Sequence, residues 1–226
     1  MAGPARRLLK PALFICDIQE KFRPAIWEFP RVISTAQKML KASQVLRIPV
    51  YATTQNAARL GGLCSELGLP GAAPGSTSGS TSTSTSDIKD FQPSIETNQI
   101  ELVVPPVDKT AFSMYVPGIA ERLAARSEVI IVGIESHICV TQTALDLLAH
   151  GHKVYVLADG VSSCNKEEIP LALARLRSEG VVVTTSESVL YECMGDAGIK
   201  EFKGIAGLVK ETKDSTRSNL ETLCKI

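Results

Sequence analysis

Six short apolar runs punctuate this chain and constrain its fold more than any other feature. They are ALFIC (Ala12–Cys16), IPVYA (Ile48–Ala52), IELVV (Ile100–Val104), VIIV (Val129–Val132), VYVL (Val154–Leu157) and VVV (Val181–Val183). Runs this continuous, without polar alternation, belong to strands covered on both faces, as in a parallel sheet. Helical spacing of apolar residues fills Val32–Leu46, Thr141–His150 and Ile169–Glu179; the last has Pro170 early and Gly180 as a stop signal. Strands alternating with helices predict an α/β chain: a three-layer α/β/α fold around a mostly parallel six-stranded sheet.

With 226 residues, 44% of them hydrophobic, the chain is expected to form one domain with a sizeable core. Its 24 basic side chains balance 24 acidic ones, so no overall field recruits nucleic acid or an anionic membrane. No apolar run has the length of a membrane span. MAGPARRLLK lacks the apolar core of a secretory signal. The expected location is therefore cytoplasmic, with a short mitochondrial presequence as the alternative. The cysteines (16, 64, 139, 164, 193 and 224) form no CxxC pair, and His137, His150 and His152 are poorly spaced for a metal site. Reduced thiols and no metal or cofactor are the expectation.

From about residue 61 to 90 the chain turns rich in Gly, Pro, Ser and Thr, including GSTSGSTSTSTS. Such a segment has little to bury and reads as a flexible insertion between the second and third strands. A phosphorylated patch is the functional alternative. The polar stretch after about Lys210 reads as a peripheral tail.

Three residues stand just past the ends of predicted strands: Asp17, Lys109 and Cys139. Parallel sheets bind ligands in the crevice outside those ends. A carboxylate, an ammonium and a thiol converging there would give an activated cysteine with its own base. Asp17 opens D-I-Q-E-K-F, where Gln19 offers an amide and Phe22 an aromatic wall; alone, Asp17 also reads as a helix N-cap. Lys109 lies in V-P-P-V-D-K-T-A-F-S-M, where two prolines end the strand and stiffen the approach. Alone it reads as a surface lysine, and Asp108 beside it as a solvated turn residue. Cys139 lies in G-I-E-S-H-I-C-V-T-Q-T, at the start of a predicted helix whose dipole and N–H groups favour thiolate and an oxyanion. An inert buried cysteine is the alternative. His137, two residues away, points elsewhere and is not taken as its base.

Together, D-I-Q-E-K-F, D-K-T-A-F-S-M and G-I-E-S-H-I-C-V-T-Q-T resemble the isochorismatase-like cysteine hydrolase superfamily, from about Leu13 to Lys210. K-T-A-F-S-M and T-Q-N-A-A-R-L-G are most similar to its isochorismatase domain-containing subgroup. The resemblance implies a Rossmann-like fold, Cys139 as nucleophile, Asp17 as general base and Lys109 as the cation holding both. It implies a cis peptide at Ile134–Glu135, which would aim the N–H groups of Glu135 and Cys139 at an oxyanion. Gln19, Phe22 and Phe112 match positions around the family's pocket. The implied reaction is attack on a small amide or related carbonyl, then hydrolysis of the thioester.

A-T-T-Q-N-A-A holds no histidine, unlike the metal-binding stretch of nicotinamidases, and the presence of Cys139 argues against isochorismate cleavage. The resemblance also implies a small-molecule substrate and a homo-oligomer. One competing reading is a catalytically silent interaction or redox-sensing module on the same fold. Another is a ribonuclease-related activity, against which stand the neutral charge and the 5% aromatic content.

Overall fold

The computed structural model describes residues 6–70 and 102–224. Six strands form one wholly parallel sheet: β1 (Pro11–Cys16), β2 (Val50–Gln55), β3 (Val107–Lys109), β4 (Glu128–Ile134), β5 (Lys153–Ser162) and β6 (Val182–Thr184), in the order β3-β2-β1-β4-β5-β6. The order reverses direction between β1 and β4, and this switch point is where such a sheet opens a crevice.

The helices are α1 (Phe29–Leu46), α2 (Ala57–Leu60), α3 (Pro117–Ala120), α4 (Thr141–Ala149), α5 (Glu168–Ser178), α6 (Ser186–Met194), α7 (Phe202–Glu211) and α8 (Lys213–Leu223). Side chains alternate across β1. Leu13 and Ile15 enter a core with α1, α6 and α7, whereas Ala12, Phe14 and Cys16 enter one with α3, α4 and α5. This gives the three-layer α/β/α sandwich expected of double-sided apolar strands.

Several boundaries depart from the sequence reading. The second strand begins two residues later than expected and runs on through Thr53, Thr54 and Gln55. The third was expected at Ile100–Val104, of which Ile100 and Glu101 lie outside the described residues. Val103 makes only a single bridge to Val50, and regular pairing resumes at Val107, after Pro105 and Pro106. Prolines donate no N–H to a ladder, so the strand re-forms beyond them. Lys109 is thus the last residue of β3 rather than the first after it.

The insertion assigned to about 61–90 lies outside the described residues beyond residue 70. Within residues 61–70 the expectation is corrected: Leu63, Cys64, Leu67 and Leu69 are buried against the α1 side of the sheet. Their burial supplies the apolar gain that a flexible segment lacks. The stretch after Lys210 is likewise no loose tail. It completes α7 and forms α8, which packs on α1 and β5 and buries Thr216, Asn219 and Leu223.

Candidate active site

Asp17 follows β1 directly, with φ at 51°, a left-handed turn that takes the chain off the sheet. Its carboxylate is almost wholly buried and lies 2.8 Å from the Lys109 ammonium at the end of β3, with the two side chains only 2% and 1% exposed. Taking two charges out of water costs several kcal/mol unless their remaining groups are satisfied. Here they are. Thr53 Oγ1 donates to Asp17 Oδ1 at 2.7 Å, and the Cys16 thiol reaches Oδ2 at 3.8 Å. Lys109 Nζ also donates to Gln55 Oε1 at 2.8 Å and to the carbonyls of Ala111 and Phe112, both at 3.1 Å. Four acceptors therefore surround three N–H groups. Burial presses the Lys109 pKa down, but Asp17, its hydrogen bond and the charges of Cys16 and Cys139 outweigh this and raise it.

Cys139 sits in a wide π-helical turn, Ser136–Val140, that leads from β4 into α4. The carbonyl of Glu135 accepts the N–H groups of Ile138 and Val140 and closes the turn. The peptide between Ile134 and Glu135 is cis. Cys139 is buried, and its carbonyl accepts from Thr143 Oγ1 at 2.6 Å. Thr143 also accepts the N–H of Met114 at 2.8 Å, tying the loop after Lys109 to the cysteine helix. The three residues singled out in the sequence are thus gathered at one end of the sheet.

The β1–β4 contact beneath them depends on Gly133, paired with Cys16 and at φ 127°. A Cβ there would lie 2.1 Å from the Cys16 carbonyl oxygen, so only glycine permits this approach.

The other expected site residues divide. Gln19 is fully buried, and its amide is spent on backbone: Oε1 accepts the Gln55 N–H at 2.6 Å, while Nε2 donates to the carbonyls of Gln55 and Gly61. It clamps two loops and presents no amide to a ligand, which corrects the pocket-lining expectation. Phe22 is partly buried against the α1-side core, and Phe112 is 51% exposed beside Lys109. Asp108, read as a solvated turn residue, instead accepts from Thr54 Oγ1 and the Ala57 N–H, both at 2.8 Å. His137 turns to Ser163 Oγ at 2.9 Å. Thr53, Gln55, Thr143 and Cys16 were not singled out in the sequence; the signal for the first two was the polar T-T-Q ending a buried strand.

Two groups of metal-type donors come together among the described residues, Glu135–His137–Cys164 and Glu20–Cys64–Glu66, each within 4.8 Å. In both groups the carboxylates, and His137 through Nδ1, already have protein partners. Glu135 accepts the Cys164 N–H, His137 pairs with Ser163, and Arg23 bridges Glu20 and Glu66 at 2.5 and 2.6 Å. Burial pushes the thiols of Cys64 and Cys193 up to about 12 and that of Cys224 to about 11. A cavity of about 480 Å³ opens at the opposite end of the strands, where β1, β2 and β4 begin, between Leu8, Arg47, Tyr51 and Arg122.

Residues 11–188 match the family model described as the isochorismatase domain. The secreted isochorismatase effector Isc1 of Phytophthora sojae is 36% identical over 203 residues, covering 88% of this chain and 84% of that protein. Isochorismatase domain-containing protein 2A of Mus musculus is 37% identical over 202 residues, covering 88% and 82%. Among solved structures, the MAR1 ribonuclease of Caenorhabditis elegans superposes with a TM-score of 0.71 at 31% identity, covering 92% of each chain. The parallel sheet, the family match across it and these identities lead to one conclusion: the chain belongs to the isochorismatase-like hydrolase family.

Proposed function

We propose that this protein is a cysteine hydrolase acting on a small amide or related carbonyl compound, with Cys139 as nucleophile, Asp17 as base and Lys109 as fixed counter-cation. The observation that carries the reading is the buried 2.8 Å pair of Asp17 and Lys109 at the strand ends where Cys139 also lies. A buried ion pair is a poor device for stability, since apolar residues of similar volume do as well or better. Its presence beside a thiol favours chemistry over a silent interaction module.

In the proposed reaction the Cys139 proton passes to Asp17 and the sulfur attacks the carbonyl carbon. The backbone N–H groups of Glu135 and Cys139 receive the oxyanion. Asp17 returns its proton to the leaving amine as the thioester forms, then deprotonates the water that hydrolyses it. Lys109 has its N–H groups committed to Asp17, Gln55 and two carbonyls, so its part is to hold charge rather than to grip substrate. Phe22 and Phe112 are the aromatic side chains this reading assigns to the substrate pocket. The steps require no metal, and turnover should survive chelation.

The test is site-resolved alkylation of the native protein by iodoacetamide, followed by an amide and ester screen. Cys139 should label faster than Cys64 or Cys224, and Asp17→Asn and Lys109→Met should each slow it. Undiminished turnover by Cys139→Ala would sink the proposal. A second reading, RNA cleavage, is favoured by one observation, the solved relative named a ribonuclease. RNA cleavage that is salt-sensitive and lost in Asp17→Asn would establish it. The proposed assembly is a homo-oligomer, to be checked by light scattering.

A further inference from the structure

We infer that Glu135, His137 and Cys164 form a binding site for a divalent transition-metal ion, zinc above all, beside the turn that carries Cys139. The inference stands apart from the hydrolase reading and asks nothing of the reaction. The three side chains bring a carboxylate oxygen, an imidazole nitrogen and a thiol sulfur within 4.8 Å of one another. Magnesium and calcium are hard ions that take oxygen ligands, whereas a thiolate, an imidazole and a carboxylate together suit zinc.

The placement follows from the sheet. Strands β4 and β5 are parallel neighbours, with Ile134 in register with Ser162 at their ends. The segments leaving them, Glu135 from one and Ser163 and Cys164 from the other, therefore emerge side by side. Glu135 Oε2 accepts the Cys164 N–H at 2.8 Å, and Ser163 Oγ lies 2.9 Å from His137 Nδ1. These contacts orient the donors without exhausting them. The His137 ring keeps Nε2 without a partner among the described residues, and the carboxylate keeps further lone pairs. A metal-binding histidine is ordinarily steadied through its other ring nitrogen in this manner.

The second donor group supplies the contrast. Glu20 and Glu66 already share a cation, the Arg23 guanidinium, and Cys64 beside them is buried. Glu135 has no ion-pair partner among the described residues, and Cys164 is exposed. A tetrahedral zinc ion with bonds of about 2.0–2.3 Å holds its donors about 3.5 Å apart, so side-chain shifts of roughly 1 Å close the site. The exposed Cys164 has room to make them. Three protein ligands leave the fourth position to water. On binding, the S–H bond of Cys164 breaks, a sulfur–metal bond forms and the proton passes to solvent, with nothing oxidised or reduced. The three histidines are poorly spaced as a set, but this site needs only one of them once Glu135 and Cys164 join it.

The test is zinc binding by isothermal titration calorimetry to the full chain, reduced and stripped with a chelator, in wild type, Cys164→Ser, His137→Gln, Ser163→Ala and Cys139→Ala. Wild type should bind a single zinc ion that excess magnesium or calcium does not displace. Cys164→Ser and His137→Gln should each weaken binding by about tenfold or more, and either one that keeps a cooperative melt carries the test. Ser163→Ala, which frees the ring, should cost about tenfold. Cys139→Ala should bind as wild type does. Cobalt(II) gives a second readout: a thiolate-to-cobalt absorption band in wild type and Cys139→Ala that is missing from Cys164→Ser. Absence of saturable zinc binding by wild type would overturn the site. So would wild-type affinity in Cys164→Ser, or loss of binding in Cys139→Ala, which would give the metal to Cys139 instead.

Discussion

Asp17 keeps a carboxylate almost wholly buried because donors from three different strands meet it: Thr53, Lys109 and Cys16. Removing only the cation strands the anion. Lys109→Met should therefore cost about 3–5 kcal/mol of stability at neutral pH, measured by urea unfolding, and the double variant Asp17→Asn/Lys109→Met should recover much of it. The same pair sets an alkaline limit. Because the folded-state pKa of Lys109 is raised, its contribution is complete below the ordinary lysine value of about 10.4 and is lost as pH climbs through the folded value. The stability of wild type relative to the double variant should fall above about pH 10.4. A difference that stays flat through that range would contradict the assignment.

Element boundaries explain which parts of the site were legible. Strand β2 continues through Thr53 and Gln55 although they are polar, because Thr53 meets Asp17 and Gln55 meets Lys109. Read by hydropathy alone, those residues look like the beginning of a loop. The apolar cores of β1 and β4 were legible, as was the start of a helix near Cys139; the wide turn that carries the thiol was not. Gly133 pairs β4 with Cys16 of β1 where a side chain has no room. Gly133→Ala would press a Cβ into the Cys16 carbonyl and should cost about 3 kcal/mol or more. Chemical denaturation would measure it, and a change below about 1 kcal/mol would show that the strands can part at little cost.

At the scale of the whole molecule, α8 closes the α1 side of the sandwich. Lys38 of α1 is buried and donates to Thr216 of α8 at 3.0 Å and to Ser186 of α6 at 3.2 Å. Asn219 of α8 donates to Thr35 Oγ1 at 3.0 Å, and Thr35 donates to the carbonyl of Asp159 on β5 at 2.6 Å. Deleting everything after Thr212 uncovers this network and leaves a buried ammonium short of an acceptor. The truncated chain should lose about 3 kcal/mol or more, or fail to fold, in thermal and urea melts. A melting temperature equal to that of the full chain would return the segment to the status of a loose tail. Among the described residues no helix is long and apolar enough to cross a membrane.

By itself the sequence determined the architecture and the three motifs that end at the crevice. Apolar runs and helical spacing are local properties, and a parallel sheet must bring the ends of its strands to one edge. Tertiary structure alone decided the rest: Cys16 beside the base, Gln19 spent on backbone, Thr143 joining the Met114 loop to the cysteine helix, and α8 drawn into the core. Each of these depends on a partner from another element. A polar side chain far along the chain carries no mark of the group it will satisfy, and only folding brings the two within hydrogen-bond distance.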